Sequence, residues 1–283
     1  MTIDAEAYRA ESRDRWERIA AGWETRRAQF AGATEPVSRW MVDAIAPQPG
    51  ETVLDLAAGI GDTGFLAAER VGAEGKLITT DGAEAMLEAA KRRAAELGLD
   101  NVEFRAMEAE WIDLPTASVD AVLCRWGYML LADPEAALRE TRRVLKPGGR
   151  VALAAWDGPE RNPWVSQTGA ELLARGLAPA PDPEAPSMFG FAAPGRIQEL
   201  LLDAGFGEVA VDAVDVVFRA PSFDDWWEYA FDTSPSLGES LGRATPEQRD
   251  EVYEAVEARL AQWRADDGSL ALPGRTLVAS AEA

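Results

Sequence analysis

The chain has 283 residues, 47% of them hydrophobic, which is enough for the core of one α/β domain with insertions or of two small domains. Its 49 acidic and 28 basic residues give a formal net charge of −21 at pH 7, so most of its surface should repel nucleic acids and anionic membranes. It contains no histidine and one cysteine, Cys124, which excludes Ser-His-Asp and Cys-His catalytic groups, histidine-ligated zinc sites and an intrachain disulfide.

The N-terminal stretch predicts a helix rather than a targeting segment. It is charged throughout and lacks the apolar core of a signal peptide, and no uncharged apolar run in the chain is long enough to span a bilayer. Trp16 and Trp23 are seven residues apart, so they lie on one face of that helix. We expect a cytoplasmic protein without membrane insertion, in which residues 1–36 form a helical cap.

The segment from Glu51 to Trp156 alternates short strand patterns with helical ones, which predicts a parallel sheet with crossover helices. A glycine, Gly98, closes the second helix, and Asp133-Pro134 opens the third with a capping carboxylate and a first-turn proline. In chain order the elements are strand TVLDL, helix GFLAAERV, strand KLITT ending at Asp81, helix GAEAMLEAAKRRAAELG, strand NVEFRA, strand SVDAVLC, helix EAALRETRRVL, the turn KPGGR and strand VALAAW.

Beyond Trp156 the pattern is less regular and predicts two insertions. The first, at about 158–193, is rich in Pro, Ala and aromatic residues, with a short helix near 165–175; the second, at about 222–267, is mostly helical. Between and after them, APGRIQELLLDAGF predicts a helix, and EVAVDAVDVVF and TLVASA predict the last two strands. Residues 37–283 would then be one domain that carries both insertions.

The loop after the first strand contains Gly59-Ile60-Gly61-Asp62-Thr63-Gly64, which spells GxGxxG, and Asp81 follows Gly61 by 20 residues. Taken literally, this is a dinucleotide-binding fingerprint. However, Asp55 ends the strand four residues ahead of Gly59, where an anion is awkward for a phosphate and suits a ligand carrying an ammonium or sulfonium group. Asp81 can bind vicinal ribose hydroxyls with both oxygens, a role shared by several nucleoside cofactors.

Several motifs in register give the chain a family resemblance. VLDLAAGIGDTGFLA, the second-strand Asp81, the Glu108-Ala109-Glu110 step and Leu145-Lys146-Pro147-Gly148-Gly149 together resemble a class I S-adenosylmethionine-dependent methyltransferase. The resemblance is to the small-molecule branch that includes the ubiquinone and menaquinone C-methyltransferases, and it is strong from Val37 to Asp157. One departure is Ala57, which stands where the family usually has its first glycine.

The resemblance implies a Rossmann-like α/β fold with a seven-stranded, mostly parallel sheet whose last strand runs antiparallel. It also implies S-adenosylmethionine as the cosubstrate, with no metal, and residue roles that we carry over by position. Asp55 and the backbone from Ala57 through Gly59 to Gly61 would hold the methionine moiety, and Asp81 would bind the ribose. Gly82 and Met86 would form one wall of the adenine pocket, and Glu108 and Ala109 would contact the adenine edge. Arg125 and Trp126 would line the cofactor beside the substrate.

The substrate is less defined by the sequence than the cofactor. Because histidine is absent, a proton acceptor would have to be a carboxylate or Tyr128, or the substrate would arrive ionised. The tryptophans outside the sheet, Trp16, Trp23, Trp164 and Trp226, either form a lid over an apolar or aromatic small molecule or pack the insertions onto the domain. The methylated atom, carbon or oxygen, and the oligomeric state stay open.

Three other readings compete with a small-molecule methyltransferase. An NAD-dependent oxidoreductase agrees with GxGxxG and Asp81 and disagrees with Asp55. A methyltransferase acting on RNA, DNA or protein disagrees with the acidity and with CRWGYML after the fourth strand, where enzymes that methylate base amino groups have Asn-Pro-Pro-aromatic. A non-catalytic protein that binds S-adenosylmethionine is compatible with the loop, since binding residues alone do not prove turnover.

Overall fold

The computed structural model describes residues 4–180, 182 and 185–283. Residues 1–3 of the predicted cap, and residues 181, 183 and 184 of the first predicted insertion, lie outside the described residues. The strands are β1 (Thr52–Asp55), β2 (Lys76–Asp81), β3 (Val102–Ala106), β4 (Val119–Arg125), β5 (Leu145–Trp156), β6 (Gly207–Ala220) and β7 (Leu270–Glu282). The helices are α1 (Ala5–Ile45), α2 (Asp62–Val71), α3 (Glu84–Leu97), α4 (Pro134–Val144), α5 (Pro163–Ala174), α6 (Arg196–Asp203), α7 (Phe223–Thr233), α8 (Pro235–Arg243) and α9 (Pro246–Leu260).

The seven strands form one sheet in the order β3-β2-β1-β4-β5-β7-β6. The first five pair in parallel, and β7 runs antiparallel to both β5 and β6. This confirms the predicted seven-stranded sheet with an antiparallel last strand. The strand order reverses between β1 and β4, and ligands of open α/β sheets bind in the crevice at the carboxyl ends of the strands at such a point.

The central parallel strands β1 and β4 are buried because helices cover both faces of the sheet, whereas the edge strand β3 is half-buried. Val53, Leu54, Val122 and Leu123 in the two central strands are fully buried, as expected for continuous apolar runs rather than alternating ones. The segment KPGG, predicted as a turn, instead forms part of β5. The pairing of β5 with β4 shifts register there, between Val119 and Ala121 of β4. The shift reflects a bulge, since proline cannot donate to the sheet and the next glycine, Gly148, has φ +75°.

Helix α1 is 41 residues long and begins where the Asp4 side chain accepts hydrogen bonds from the backbone N–H groups of Glu6 and Ala7. Its C-terminal half is buried against the sheet domain, and its N-terminal half extends over the carboxyl ends of the strands. The predicted division between residues 36 and 37 falls inside this helix, beside Pro36. We propose that the part of α1 before Pro36 is the functional cap.

A close helix contact fixes the cap and leads to a first prediction. A Cβ at Gly22 of α1 would overlap the backbone carbonyl oxygen of Asp232 in α7, whereas a Cβ at Gly32 of the same helix meets no atom within 4 Å. Gly22→Ala should therefore lower the free energy of unfolding by about 1–3 kcal/mol, because the overlap forces the backbones apart. Gly32→Ala should raise it by about 0.5–1 kcal/mol, because alanine favours the helix.

Urea unfolding of both variants measures this difference. The two substitutions are chemically identical and ten residues apart in one helix, so Gly32→Ala is the matched control. Equal effects of the two substitutions would contradict a tight α1–α7 contact.

Candidate active site

A cavity lies at the carboxyl ends of β1, β2 and β4, beneath the N-terminal half of α1, and has a volume of about 1150 Å³ including its mouth, which is open to solvent. Most of the predicted binding residues line it. These are Asp55, Ala57, Gly59, Asp81, Gly82, Met86, Glu108, Ala109, Arg125 and Trp126, together with the two predicted lid residues of α1, Trp16 and Trp23.

The loop after β1 turns by a series of left-handed residues: Ala57 has φ 49°, Gly59 φ 57° and Gly61 φ 88°. Ala57 is accommodated there at the cost of roughly 1–2 kcal/mol that a glycine would avoid. A Cβ at Gly59 would meet no protein atom within 4 Å, so the backbone at that position faces the open cavity. Gly61 holds the turn and does not itself line the cavity.

Asp55 ends β1 with a side chain that is 1% exposed. One carboxyl oxygen accepts a hydrogen bond from the backbone N–H of Gly64 at 3.0 Å, and a Cβ at Gly64 would overlap that oxygen. Burial raises the pKa of Asp55 to about 7, an effect that the positive charge of Arg125 and the Gly64 hydrogen bond oppose. A cation bound beside this carboxyl group would restore its charge.

Asp81 ends β2 and joins the two loops that border the cavity. Its Oδ2 accepts from the N–H of Gly59 at 2.8 Å, and its Oδ1 accepts from the N–H of Ala83 at 2.9 Å. Burial, then the nearby carboxylates of Glu108 and Glu17, raises its pKa to about 6, and the two backbone hydrogen bonds oppose this. Each oxygen accepts only one protein hydrogen bond, so each retains capacity for a hydroxyl donor.

An apolar slot lies beside Asp81. Met86 is buried in a cluster with Ala20, Ile60, Ala83 and Ala89, and the rings of Trp16 and Trp23 pack against this cluster with centroids 6.0 Å apart. A Cβ at Gly82 would lie 3.3 Å from both carboxylate oxygens of Glu108, so glycine keeps that edge of the slot open. The slot is therefore apolar on its faces and polar at its edge.

Helix α1 is held over the cavity by side chains that bond to both of its rims. Glu17 accepts the N–H groups of Glu84 and Ala85, at 2.5 and 3.0 Å, and so caps α3, whose own N-cap residue supplies no side-chain bond. Glu24 accepts two hydrogen bonds from Arg92 of α3, at 2.8 and 2.7 Å. On the opposite side, Arg9 bonds to Glu110 at 2.5 and 3.1 Å and Arg13 to Glu108 at 3.1 Å.

Arg125 ends β4 and Trp126 follows it, at the end of the cavity near Asp55. Trp126 has φ 60°, and its indole Nε1 donates to Thr276 Oγ1 at 2.8 Å while its ring stacks on Trp156 at 4.4 Å. Arg125 Nη1 donates to Ser38 Oγ at 2.9 Å and to Thr34 Oγ1 at 3.3 Å. The strained left-handed backbone of Trp126 is thus stabilised by the hydrogen bond of its indole to Thr276 and by its stacking on Trp156.

Three of the predicted site residues, Tyr128, Trp164 and Trp226, lie outside the cavity. The Tyr128 hydroxyl lies 2.6 Å from Thr141 Oγ1, its side chain is 1% exposed, and burial raises its pKa well above the usual value. Trp164 packs on Trp156 at 5.0 Å, and Trp226 is 1% exposed. None of the three lines the cavity, so this geometry favours the packing alternative for both tryptophans and gives the Tyr128 hydroxyl no access to a substrate.

The structure adds cavity residues that the sequence analysis did not select. On α1 the additions share one face with Trp16 and Trp23, and their spacing of four and seven residues is a signal that was available. All the added residues are Tyr8, Ser12 and Phe30 on that face of α1, the paired Arg9 and Arg13 of α1, Thr63 in α2, Ala83 before α3, Met107 and Glu110 after β3, and Gly127, Leu130, Leu131 and Ala132 after β4.

The described residues contain neither a candidate metal site nor a candidate membrane-spanning helix. Across residues 4–180, 182 and 185–283, no group of three or more acidic, cysteine or histidine side chains could hold a metal ion. In the same residues, none of the helices combines the length and apolarity needed to cross a bilayer.

Comparison with known proteins shows that this sequence is similar to methyltransferases. A family model described as "Methyltransferase domain" matches residues 47–175. Nocamycin O-methyltransferase from Saccharothrix syringae is 34% identical over 196 residues, 66% of this chain and 70% of that protein. A ubiquinone/menaquinone biosynthesis C-methyltransferase from Hahella chejuensis is 35% identical over 130 residues, 46% of this chain, and the match spans about half, 52%, of that protein.

Among solved structures, the YcgJ protein from Bacillus subtilis superimposes with a TM-score of 0.56. The superposition covers 87% of this chain and 97% of that one at 21% identity. At this identity the similarity supports the fold alone.

Proposed function

The chain belongs to the S-adenosylmethionine-dependent methyltransferases, and from that premise we propose that its cavity transfers the methyl group of S-adenosylmethionine to carbon or oxygen of a small apolar or aromatic molecule. The observation that carries the proposal is the pair of carboxyl groups, Asp55 and Asp81, at the ends of adjacent strands in one cavity. One suits a cationic amino-acid moiety, and the other suits a ribose diol.

The residues present fit this cofactor. Asp81 has an acceptor oxygen on each side for vicinal hydroxyls, and the open backbone at Gly59 lets a ligand approach closely. The apolar slot at Met86, with Glu108 at its edge, suits a flat base with polar edges. Asp55 would hold the ammonium group, and such a cation would keep that buried carboxylate ionised.

When bound, S-adenosylmethionine supplies an electrophilic methyl group. The residues of this chain would contribute alignment and exclusion of water, since direct displacement requires the acceptor atom in line with the bond that breaks. Helix α1 covers the cavity with Trp16, Trp23 and Phe30, and its ion pairs with the rims keep it in place. With Tyr128 turned away, the site suits an acceptor that needs no strong base.

Calorimetric titration with S-adenosylmethionine, S-adenosylhomocysteine and NAD tests the cofactor. We expect micromolar binding of the first two and none of NAD over the same concentrations. Binding of NAD alone would contradict the proposal and restore the dinucleotide interpretation of GxGxxG. Transfer of a radiolabelled methyl group to any member of a panel of phenols, enols and aromatic acids then separates an enzyme from a protein that only binds the cofactor.

A further inference from the structure

Three arginines line the cavity, and they differ in how their charges are matched. Arg9 forms an ion pair with Glu110 at 2.5 Å, and Arg13 forms one with Glu108 at 3.1 Å. Arg125 has no carboxylate of the described residues within ion-pair distance; its hydrogen bonds go from Nη1 to the hydroxyls of Thr34 and Ser38. Arg125 is therefore the cavity arginine whose charge the protein leaves unmatched at close range.

The other two nitrogens of the Arg125 guanidinium, Nε and Nη2, form no hydrogen bond with any described residue. Neither nitrogen is fully buried. Because Arg125 lines the cavity, these donors are available to a ligand there. Burial lowers the pKa of Arg125 from its usual value, yet a guanidinium remains charged at any pH that a protein tolerates. An anion in the cavity would meet a planar, two-nitrogen donor.

Aromatic rings surround this donor. The Arg125 guanidinium carbon lies 4.7 Å from the centre of the Trp126 ring and 5.6 Å from that of Phe30, and these two rings meet edge to face at 5.5 Å. Leu130 and Leu131 add apolar surface to the same cavity. A planar, conjugated anion matches this combination better than a hydrated inorganic one, because its rings bury apolar area while its charge pairs with the fork.

Resting on the proposed function, we propose that Arg125 binds an oxyanion of the methyl acceptor, so that the acceptors are conjugated acids, namely aromatic carboxylates, phenolates or enolates, that enter already ionised. A chain of net charge −21 repels anions over most of its surface, so such a substrate needs a local positive charge in the cavity, which Arg125 supplies. This assignment also explains how transfer proceeds in a protein without histidine, since an ionised acceptor needs no general base.

The transfer needs no proton acceptor on the protein, because methylation at oxygen moves no proton and methylation at a phenolate ring carbon moves the proton of that carbon to the acceptor's own oxygen. The bond that forms joins the acceptor's anionic oxygen or its conjugated carbon to the methyl carbon. The bond that breaks joins that carbon to sulfur, and its electron pair stays on sulfur. The acceptor loses its negative charge as the sulfonium loses its positive one, so Arg125 would bind the substrate more tightly than the product and favour product release.

The same guanidinium chemistry would also suit the carboxylate of the cofactor's own methionine moiety, because Arg125 lies near Asp55. The two sources of the oxyanion make different predictions. If Arg125 binds the oxyanion of the acceptor, its loss should weaken acceptor binding and leave cofactor affinity unchanged. If Arg125 binds the carboxylate of the cofactor, its loss should weaken binding of S-adenosylhomocysteine and leave unchanged the binding of 5′-methylthioadenosine, which lacks that carboxylate.

The test compares 2-naphthoate with its neutral analogue 2-naphthamide, by quenching of tryptophan fluorescence at pH 8 with S-adenosylhomocysteine present. We expect wild type to bind the acid at least about 10-fold more tightly than the amide, and Arg125→Met to bind the two about equally. S-adenosylhomocysteine affinity should change by less than about threefold. The matched control is Arg39→Met, which removes an equal charge at an exposed ion pair with Glu35 outside the cavity.

Arg125→Lys provides a second variant if the methionine variant does not fold. It keeps the charge and loses the planar fork, so we expect an intermediate preference for the acid. A preference that survives in Arg125→Met, or its absence in wild type, would overturn the proposal. So would a selective loss of S-adenosylhomocysteine over 5′-methylthioadenosine in Arg125→Met.

Failure of the proposed function would be seen separately. If wild type bound neither S-adenosylmethionine nor S-adenosylhomocysteine, the cofactor assignment would fail. The comparison of naphthoate and naphthamide, repeated without either compound, would still report whether Arg125 selects an anion.

Discussion

Replacing Asp81 with alanine is expected to weaken binding of S-adenosylhomocysteine by about 100-fold or more. Two charge-assisted hydrogen bonds to the ribose hydroxyls would be lost, each worth about 1.5–3 kcal/mol. The substitution also removes the acceptors of the Gly59 and Ala83 N–H groups, at 2.8 and 2.9 Å, which hold the two loops together. Calorimetric titration of wild type and variant measures the change.

Two further variants sharpen this result. Asp81→Asn keeps the shape and one acceptor oxygen, so its loss of affinity should lie between those of wild type and alanine. Asp203→Ala removes an equal charge from an exposed position of α6 outside the cavity and should leave binding unchanged. An affinity of Asp81→Ala within about threefold of wild type, in a protein with an unchanged melting profile, would show that Asp81 does not bind the ribose.

The framework of the site could be predicted because it depends on local patterns. Asp55 and Asp81 were expected at strand ends from the apolar runs before them, and the structure places them at the ends of β1 and β2. Parallel pairing of those two strands then brings both ends to one edge of the sheet. A strand end and its neighbouring turn are set by a few adjacent residues, which a sequence shows directly.

The tryptophans show where such prediction ends. Trp16 and Trp23 were expected on one face because helical periodicity alone fixes their spacing, and both line the cavity. Trp164 and Trp226 lie in the predicted insertions, whose positions depend on packing against distant segments, and their rings lie 6.4 Å apart and contribute nothing to the cavity lining. All four residues are tryptophans, so residue type alone could not separate the two pairs. Only Trp16 and Trp23 had a local helical spacing that predicted their relative position.

The ion pairs that hold the cap had no sequence signal at all. Arg9 and Glu110 are separated by 101 residues, and Arg13 and Glu108 by 95. In a chain with 49 acidic and 28 basic residues, the sequence gives no reason to pair Arg9 with Glu110 or Arg13 with Glu108. Only the placement of α1 over the sheet identifies them, and the same placement shows that Arg125 lacks such a partner.

Stability of the cofactor-free protein should carry a pH dependence that comes from Asp55. Burial raises the folded-state pKa of Asp55 to about 7 from a usual value of 3.8, so the folded protein keeps a proton that the unfolded chain releases. The resulting stabilisation is fully present below pH 3.8 and is lost as pH rises through about 7. It amounts to about 4 kcal/mol at most, of which roughly 2–3 kcal/mol should disappear between pH 5 and pH 8.

Urea unfolding of wild type and Asp55→Asn across pH 5 to 8 isolates this contribution. Asparagine keeps an acceptor for the Gly64 N–H and does not titrate, so wild type should lose stability relative to the variant as pH rises. Carboxylates with lowered pKa values, such as Glu103 and Glu140, act with the opposite sign but equally in both proteins, and cancel in the difference. A difference independent of pH would mean that Asp55 is already ionised in the empty cavity.

The same carboxyl group couples cofactor binding to proton release. A cation beside Asp55 favours the charged form, so its binding at pH 6 should release a proton that binding at pH 8 does not, because Asp55 has a pKa of about 7 without the cofactor. Calorimetry of S-adenosylmethionine in two buffers of different ionisation enthalpy measures that proton. Asp55→Asn should remove the release from Asp55 and leave only the smaller release from Asp81, whose pKa of about 6 the ribose hydroxyls would lower. A wild-type protein that released no more protons at pH 6 than Asp55→Asn would place the cation elsewhere in the cavity, away from the end of β1.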